Sequence, residues 1–181
     1  MKRQSFIGMV IALAMATCGW AATALMQERL TPAPGLSLAE LKYRLIDAFG
    51  GMKPPGEYGG ILYCDPDIWP VGIGDLQELA IMRFPTIQQN AEEFTTILQH
   101  LHLERIAAFS PEQKQRIYEE HKKLAFIVLE SVAASNYQFQ LRIAERDGSG
   151  LFLVEGRMSE HGSITISKKE PRAVPLCPLI A

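Results

Sequence analysis

The chain has 181 residues, a net charge of −2 and a hydrophobic content of 48%. That length suits one domain with a short appended segment, and the composition is that of a globular protein that can bury a core. The small negative charge gives no electrostatic footprint for nucleic acid, which would need a basic stripe, so we expect no nucleic acid among its partners.

The N-terminus has the three parts of a secretory signal peptide. Lys2 and Arg3 form the positive start, residues 6–16 are apolar, and Ala22-Thr23-Ala24 is a small-x-small cleavage site. We predict that residues 1–24 are a signal peptide, cleaved after Ala24, and that the protein is secreted or periplasmic. Loss of the two basic residues would take the net charge from −2 to −4.

Two other interpretations of this segment stay open. Acylation of Cys18 would make the protein a lipid-anchored lipoprotein with an envelope role, although Met15 and Thr17 are unusual residues before such a cysteine. An uncleaved anchor would need about 20 apolar residues to span a bilayer, and the apolar run here is shorter. We expect no stable membrane span in the mature chain.

A constrained corner lies at Leu62-Tyr63-Cys64-Asp65-Pro66-Asp67-Ile68-Trp69-Pro70-Val71. Its two prolines fix their own φ and push the preceding residues toward extended geometry. Removal of the signal would leave Cys64 and Cys177 as the two cysteines, and in an oxidising compartment we predict a disulfide between them. Two buried thiols are the alternative.

The same corner contains the candidate binding residues. Asp65 and Asp67 could ligate a hard cation such as Ca²⁺, but the hydrophobic residues that follow supply no further oxygen ligands, and turn formation explains both aspartates more simply. Tyr63 and Trp69 complete a candidate binding surface, because aromatic side chains with polar tips are common at interfaces. A packing role beside the disulfide is the favoured explanation for both rings.

We interpret residues 25–36 as a linker and residues 37–181 as a single domain. Helix-start signals recur within that domain. Ser37, Asp75, Asn90 and Ser110 are each followed three residues later by glutamate or glutamine, the pattern of a capping box. We predict four helices from these positions. The second should be short because Pro85 limits it, and the third should be longer.

The hydrophobic period changes from 3.6 to 2 after Lys123. Tyr137, Phe139, Leu141 and Ile143 alternate with more polar residues, which predicts a strand with one buried face. Turns at 147–150 and 160–162 separate two further strands, and the latter half of 124–130 is interpreted as a strand or, alternatively, as an extension of the helix. The predicted fold is α+β, with four N-terminal helices followed by an antiparallel β-meander of three to four strands.

Catalytic templates do not match the sequence. His100 and His102 are two residues apart on a predicted helix and face different directions, and His121 falls on the apolar side of its helix, as a core histidine would. We interpret residues 119–123 as a solvated helix end. The sequence has no phosphate loop and no nucleophile elbow, so we expect no catalytic residue, no cofactor and no metal.

Several segments together resemble a family of uncharacterised bacterial secreted proteins with a Tyr-Cys-Asp-Pro-Asp motif. These segments are residues 41–50, Tyr63-Cys64-Asp65-Pro66-Asp67, Arg83-Phe84-Pro85, residues 120–124 and Cys177-Pro178. The resemblance covers nearly all of the mature chain but implies no activity, cofactor or catalytic residue. Some similar chains continue into a self-processing Hint-like domain, and we expect none after Leu179-Ile180-Ala181.

Export and the absence of catalytic templates predict a non-catalytic binding or interaction protein, whose partner is a protein or a small molecule. The alternative is a metal-dependent or carboxylate-based hydrolase that uses Asp65 and Asp67. A cystatin-like inhibitor is a further alternative, although its characteristic Gln-x-Val-x-Gly loop is missing.

Overall fold

The computed structural model describes residues 35–64, 75–148 and 150–172. All of them fall within a unit that spans Pro34–Ala181. Their elements are α1 (Leu38–Ala48), β1 (Met52–Lys53), β2 (Gly60–Leu62), α2 (Leu76–Gln89), α3 (Ala91–His100), α4 (Pro111–Phe126), β3 (Glu130–Ala133), β4 (Asn136–Ala144), β5 (Leu151–Ser159) and β6 (Ile164–Arg172).

The four predicted helix starts are confirmed. Ser37 and Ser110 form complete capping boxes, in which the serine accepts from the backbone and the residue three later reaches back. Asp75 and Asn90 cap their helices through their own side chains, without that return bond to the cap backbone. No helix among the described residues is both long and apolar enough to cross a membrane.

The predicted lengths of α2 and α3 are wrong. Pro85 lies inside α2, which runs for 14 residues, whereas α3 has only 10. A proline inside a helix removes one backbone hydrogen bond. Here Phe84 and Ile87 on either side of Pro85 are buried, and we attribute the continuation of the helix to this packing.

The segment between α4 and the sheet also differs from the preferred interpretation. The helix continues through Leu124 to Phe126, and the first strand of this region begins only at Glu130. Leu124 and Ile127 are fully buried, three positions apart, as on one face of a helix. The apolar run at residues 124–129 is therefore helical up to Phe126, and residues 127–129 connect the helix to β3.

The strands form one mixed sheet of six strands in the order β1-β2-β4-β5-β6, and β3 also pairs with β4. Strands β1 and β2 are parallel, with Met52 opposite Ile61, and β2 is antiparallel to β4, with Gly60 opposite Ala144. Strands β3, β4, β5 and β6 are antiparallel to their neighbours. The fold is α+β.

The predicted arrangement of that fold is therefore wrong. Two strands precede the last three helices, so the helices are not all N-terminal, and the parallel pair β1–β2 means that the sheet is not a purely antiparallel meander. The two strands that the sequence did not predict have only two and three residues, too few to show a period. They flank the prolines and glycines of residues 54–60, which indicate turns.

The core lies between the helices and one face of the sheet. The alternation predicted for β4 is confirmed, since Phe139, Leu141 and Ile143 are buried. From β5 the buried side chains are Val154 and Met158. The helices contribute a set of fully or almost fully buried residues: Leu41, Leu45, Phe94, Ile97, Ile117 and Leu124. Residues of β4 and β5 that alternate with the core residues therefore lie on the opposite, outer face.

Candidate functional site

An open cavity of about 730 Å³ lies on the outer face of the sheet, where β3, β4, β5 and β6 meet. We call it the sheet cavity. Its polar lining side chains are Glu130, Gln138, Gln140, Glu155, Arg157, Thr165 and Ser167. Val128, Phe139 and Gly156 complete the lining.

The strand register places these polar side chains in two rows across the sheet. In the first row Gln138 lies opposite Glu130 on β3 and opposite Arg157 on β5, and Arg157 lies opposite Thr165 on β6. In the second row Gln140 lies opposite Glu155. Side chains directly opposite each other on neighbouring strands share a face of the sheet. The rows therefore form one continuous polar surface.

An irregularity between β5 and β6 shapes this surface. The register shifts between Glu155 and Gly156, and the hydroxyl of Ser167 donates a 3.1 Å hydrogen bond to the backbone oxygen of Glu155. A bulge bends its strand and increases the local twist. The outer face is therefore bent, not flat, at the position of the cavity.

Gly156 lies at this bulge, directly opposite Phe139. A Cβ atom at this position would collide with the ring of Phe139 and would lie 2.6 Å from the backbone oxygen of Thr165. The absence of a side chain therefore lets the Phe139 ring pack against the backbone of β5.

The two glutamates of the sheet cavity accept hydrogen bonds from neighbouring side chains, whereas its arginine has no partner among the described residues. The amide nitrogen of Gln138 donates to Glu130 at 2.7 Å, and that of Gln140 donates to Glu155 at 3.0 Å. The exposed guanidinium of Arg157 has no hydrogen-bond or ion-pair partner within residues 35–64, 75–148 and 150–172. Its donors are therefore free to bind a group from outside the described chain.

A second polar group connects three helices. The hydroxyl of Tyr43 donates a 3.1 Å hydrogen bond to Glu120, and Lys123 forms a 2.6 Å ion pair with the other oxygen of the same carboxylate. The ring of His100 stacks on that of Tyr43 at a centroid distance of 3.9 Å. Burial, followed by the charge of Glu120, raises the pKa of Tyr43. We call these four residues the helix network.

Two further polar contacts lie beside the helix network. Nδ1 of His121 lies 2.6 Å from an oxygen of Glu93, which joins α4 to α3. Lys42 donates a 2.7 Å hydrogen bond to the backbone oxygen of Leu124, near the end of α4. Burial lowers the pKa of Lys42, and the nearby charge of Glu93 partly opposes that effect.

This network corrects the interpretation of residues 119–123 as a solvated helix end. Glu120 is only 7% exposed, and its carboxylate contacts Tyr43 and Lys123. Within the described parts of the chain, no group of three or more histidine, cysteine, aspartate or glutamate residues could hold a metal ion. The Tyr43–Glu120 hydrogen bond links α1 to α4 and the stacking of His100 on Tyr43 links α3 to α1, so the network holds these three helices together.

The residues singled out from the sequence are only partly described. Tyr63 is buried, and its ring packs edge-on against Phe126 at a centroid distance of 5.1 Å, so the ring is not open to a ligand from solvent. Asp65, Asp67 and Trp69 lie outside the described residues. The metal site and the binding surface at this corner stay predictions.

The sequence alone does not predict the sheet cavity. Gln138, Gln140 and Arg142 were recognised only as the polar partners of an alternating strand. The alternation of polar and apolar residues, together with the two hairpin turns, does predict that polar residues of neighbouring strands share one face of the sheet. The register and the bulge, which select the residues that meet, were not visible.

Comparison with known proteins identifies no relative: no family model matches the chain, and no curated protein or solved structure matches it. The fold and the site therefore define the class of protein, which is an α+β protein with a polar cavity on the outer face of its sheet. The resemblance to bacterial secreted proteins stays an expectation.

Proposed function

We propose that the protein is an exported, non-catalytic binding protein that holds a small polar molecule in the sheet cavity. The observation that carries this proposal is the guanidinium of Arg157, which has no partner among the described residues and lies in an open cavity of about 730 Å³. Ligand pockets commonly have volumes of about 300–1,000 Å³, and a few polar groups in them fix the orientation of the ligand.

The chemistry of the lining selects the kind of ligand. Most known ligand pockets are lined mainly by apolar side chains, whereas this one offers amide, hydroxyl, carboxylate and guanidinium groups. Such groups bind through hydrogen bonds and ion pairs, which need a polar ligand. Of the strands that line the cavity, β4 and β5 are held in place by the core residues on their other face.

Export and a disulfide are part of the same proposal. The sequence of residues 1–24 supports secretion into the periplasm or the medium, with a lipid anchor at Cys18 as the alternative. Cys64 and Cys177 are the two cysteines that would remain after cleavage of the signal peptide, and an oxidising compartment would favour a bridge between them. Both Cys18 and Cys177 lie outside the described residues.

The test is a binding survey by NMR on the isotopically labelled, purified protein. The survey would use neutral sugars, amino acids, dipeptides, nucleosides and dicarboxylic acids, each titrated to saturation. We expect at least one class to cause saturable shifts in the backbone amides of residues 138–140, 155–157 and 165–167.

Two variants control for the site. Arg157→Gln should weaken binding, whereas Arg142→Gln should leave it unchanged, because Arg142 is also an exposed arginine of the same face but does not line the cavity. The proposal is wrong if no compound gives saturable shifts at these strands, or if the saturable shifts lie on the helices.

A further inference from the structure

We infer that the ligand of the sheet cavity is a zwitterion of dipeptide length, with its carboxylate on Arg157 and its ammonium group on Glu155. This inference rests on the proposed function and names the ligand class of the same site. It follows from the signs of the charges in the cavity, their spacing, and the hydrogen bonds that already hold the two glutamates.

The charges of the cavity favour a ligand that carries both signs. Arg157 is the only cationic side chain in the described lining, and Glu130 and Glu155 are the acidic ones. A guanidinium binds a carboxylate through two parallel hydrogen bonds. A ligand with negative charge alone would be repelled by the two glutamates, and one with positive charge alone would leave Arg157 unpaired.

The spacing along β5 fits a dipeptide. Arg157 and Glu155 are two residues apart on one strand and point to the same face, so their Cα atoms are about 6.6–6.8 Å apart. An extended chain of two residues spans roughly 6.6–7.2 Å. A dipeptide that lies along β5 therefore matches the spacing of these two residues along the strand.

The neighbouring strand supplies groups for the central peptide bond. Gln138 and Gln140 lie opposite Arg157 and Glu155, and each uses its amide nitrogen to hold a glutamate. Their amide oxygens can still accept a hydrogen bond, since an amide side chain has both donor and acceptor groups. A peptide N–H placed between the two charges has these oxygens beside it.

The test uses L-alanyl-L-alanine and two matched analogues, titrated by NMR against the purified protein. The C-terminal amide of the dipeptide lacks the carboxylate, and the N-acetyl dipeptide lacks the ammonium group. We expect each analogue to bind at least about tenfold more weakly than the dipeptide, since hydrogen bonds between charged groups are the stronger ones.

The variants assign each preference to a residue. In Arg157→Gln the dipeptide and its amide should bind equally, whereas in Arg142→Gln the preference for the free carboxylate should persist. In Glu155→Gln the preference for the free amine should disappear. It should persist in Glu170→Gln, because Glu170 is on the same sheet face but does not line the cavity. Thermal unfolding of each variant checks that it is folded.

The two possible failures are distinguishable. If the analogues bind in the cavity as tightly as the dipeptide, or if Arg157→Gln keeps the carboxylate preference, the ligand class is wrong while the sheet cavity remains a binding site. If neither the dipeptide nor any compound of the wider survey shifts the cavity residues, the proposed function fails as well.

Discussion

The hydroxyl of Tyr43 on α1 donates a 3.1 Å hydrogen bond to Oε2 of Glu120 on α4, 77 residues further along the chain. The same carboxylate holds Lys123, and His100 of α3 stacks on the tyrosine ring. A buried carboxylate is stable only when its oxygens are paired. The hydrogen bond therefore joins α1 to α4, and the stacked ring of His100 adds α3.

Removal of the Tyr43 hydroxyl should destabilise the protein. Tyr43→Phe leaves one oxygen of buried Glu120 without its donor, and we expect a loss of about 1–3 kcal/mol in the free energy of unfolding, measured with denaturant. Tyr58→Phe is the matched control, because Tyr58 is 55% exposed, and it should change stability by no more than about 0.5 kcal/mol. Equal stabilities of the two variants would show that the contact contributes nothing.

The same tyrosine predicts a dependence on alkaline pH. Burial and the charge of Glu120 raise the pKa of Tyr43 above its ordinary value of 10.0, so the folded state keeps the phenol proton longer than the unfolded state. The stability linked to this proton is fully present below pH 10.0 and is lost as the pH rises beyond it.

The stability advantage of the wild type over Tyr43→Phe should therefore shrink above that pH, by up to about 1.4 kcal/mol per pH unit. Denaturant unfolding of both proteins between about pH 8 and pH 11 measures it. A constant difference across this range would contradict the assigned environment of Tyr43.

Addition of a single methyl group at Gly156 should disturb the sheet beneath the cavity. A Cβ there meets the ring of Phe139 and the backbone oxygen of Thr165, and we expect Gly156→Ala to cost about 1–3 kcal/mol. Arg142→Ala, at an exposed position of the neighbouring strand, should cost far less. A Gly156→Ala protein as stable as the wild type would mean that Phe139 can move away.

The predicted disulfide has a direct chemical test. Protein recovered from the periplasm or the medium should begin at residue 25 and should yield a peptide that links Cys64 to Cys177 under non-reducing digestion, detected by mass spectrometry. Cys64→Ser should lower stability by about 2–5 kcal/mol. Alkylation of both cysteines without prior reduction would refute the bridge.

Local signals predicted some elements of the fold well. The caps at Ser37 and Ser110 are formed by residues three apart, and the alternation of β4 is a property of nine consecutive residues. Both depend only on near neighbours in the sequence, so they can be read without knowledge of the tertiary structure.

Long-range contacts account for what could not be predicted. The parallel pair β1–β2 has only two register positions, and the continuation of α2 through Pro85 accompanies burial of the side chains around it. The helix network joins Tyr43 to residues that follow it by more than 50 positions. The position of the sheet cavity likewise depends on a register and a bulge between strands.

The central claim, that the sheet cavity binds a polar ligand through Arg157, is tested most directly by a crystal structure of the protein with L-alanyl-L-alanine at saturating concentration. We expect the dipeptide to lie along β5, with its carboxylate within hydrogen-bond distance of the Arg157 guanidinium. A dipeptide bound among the helices, or a sheet cavity that stays empty with the dipeptide and with every compound class of the wider survey, would contradict the central claim.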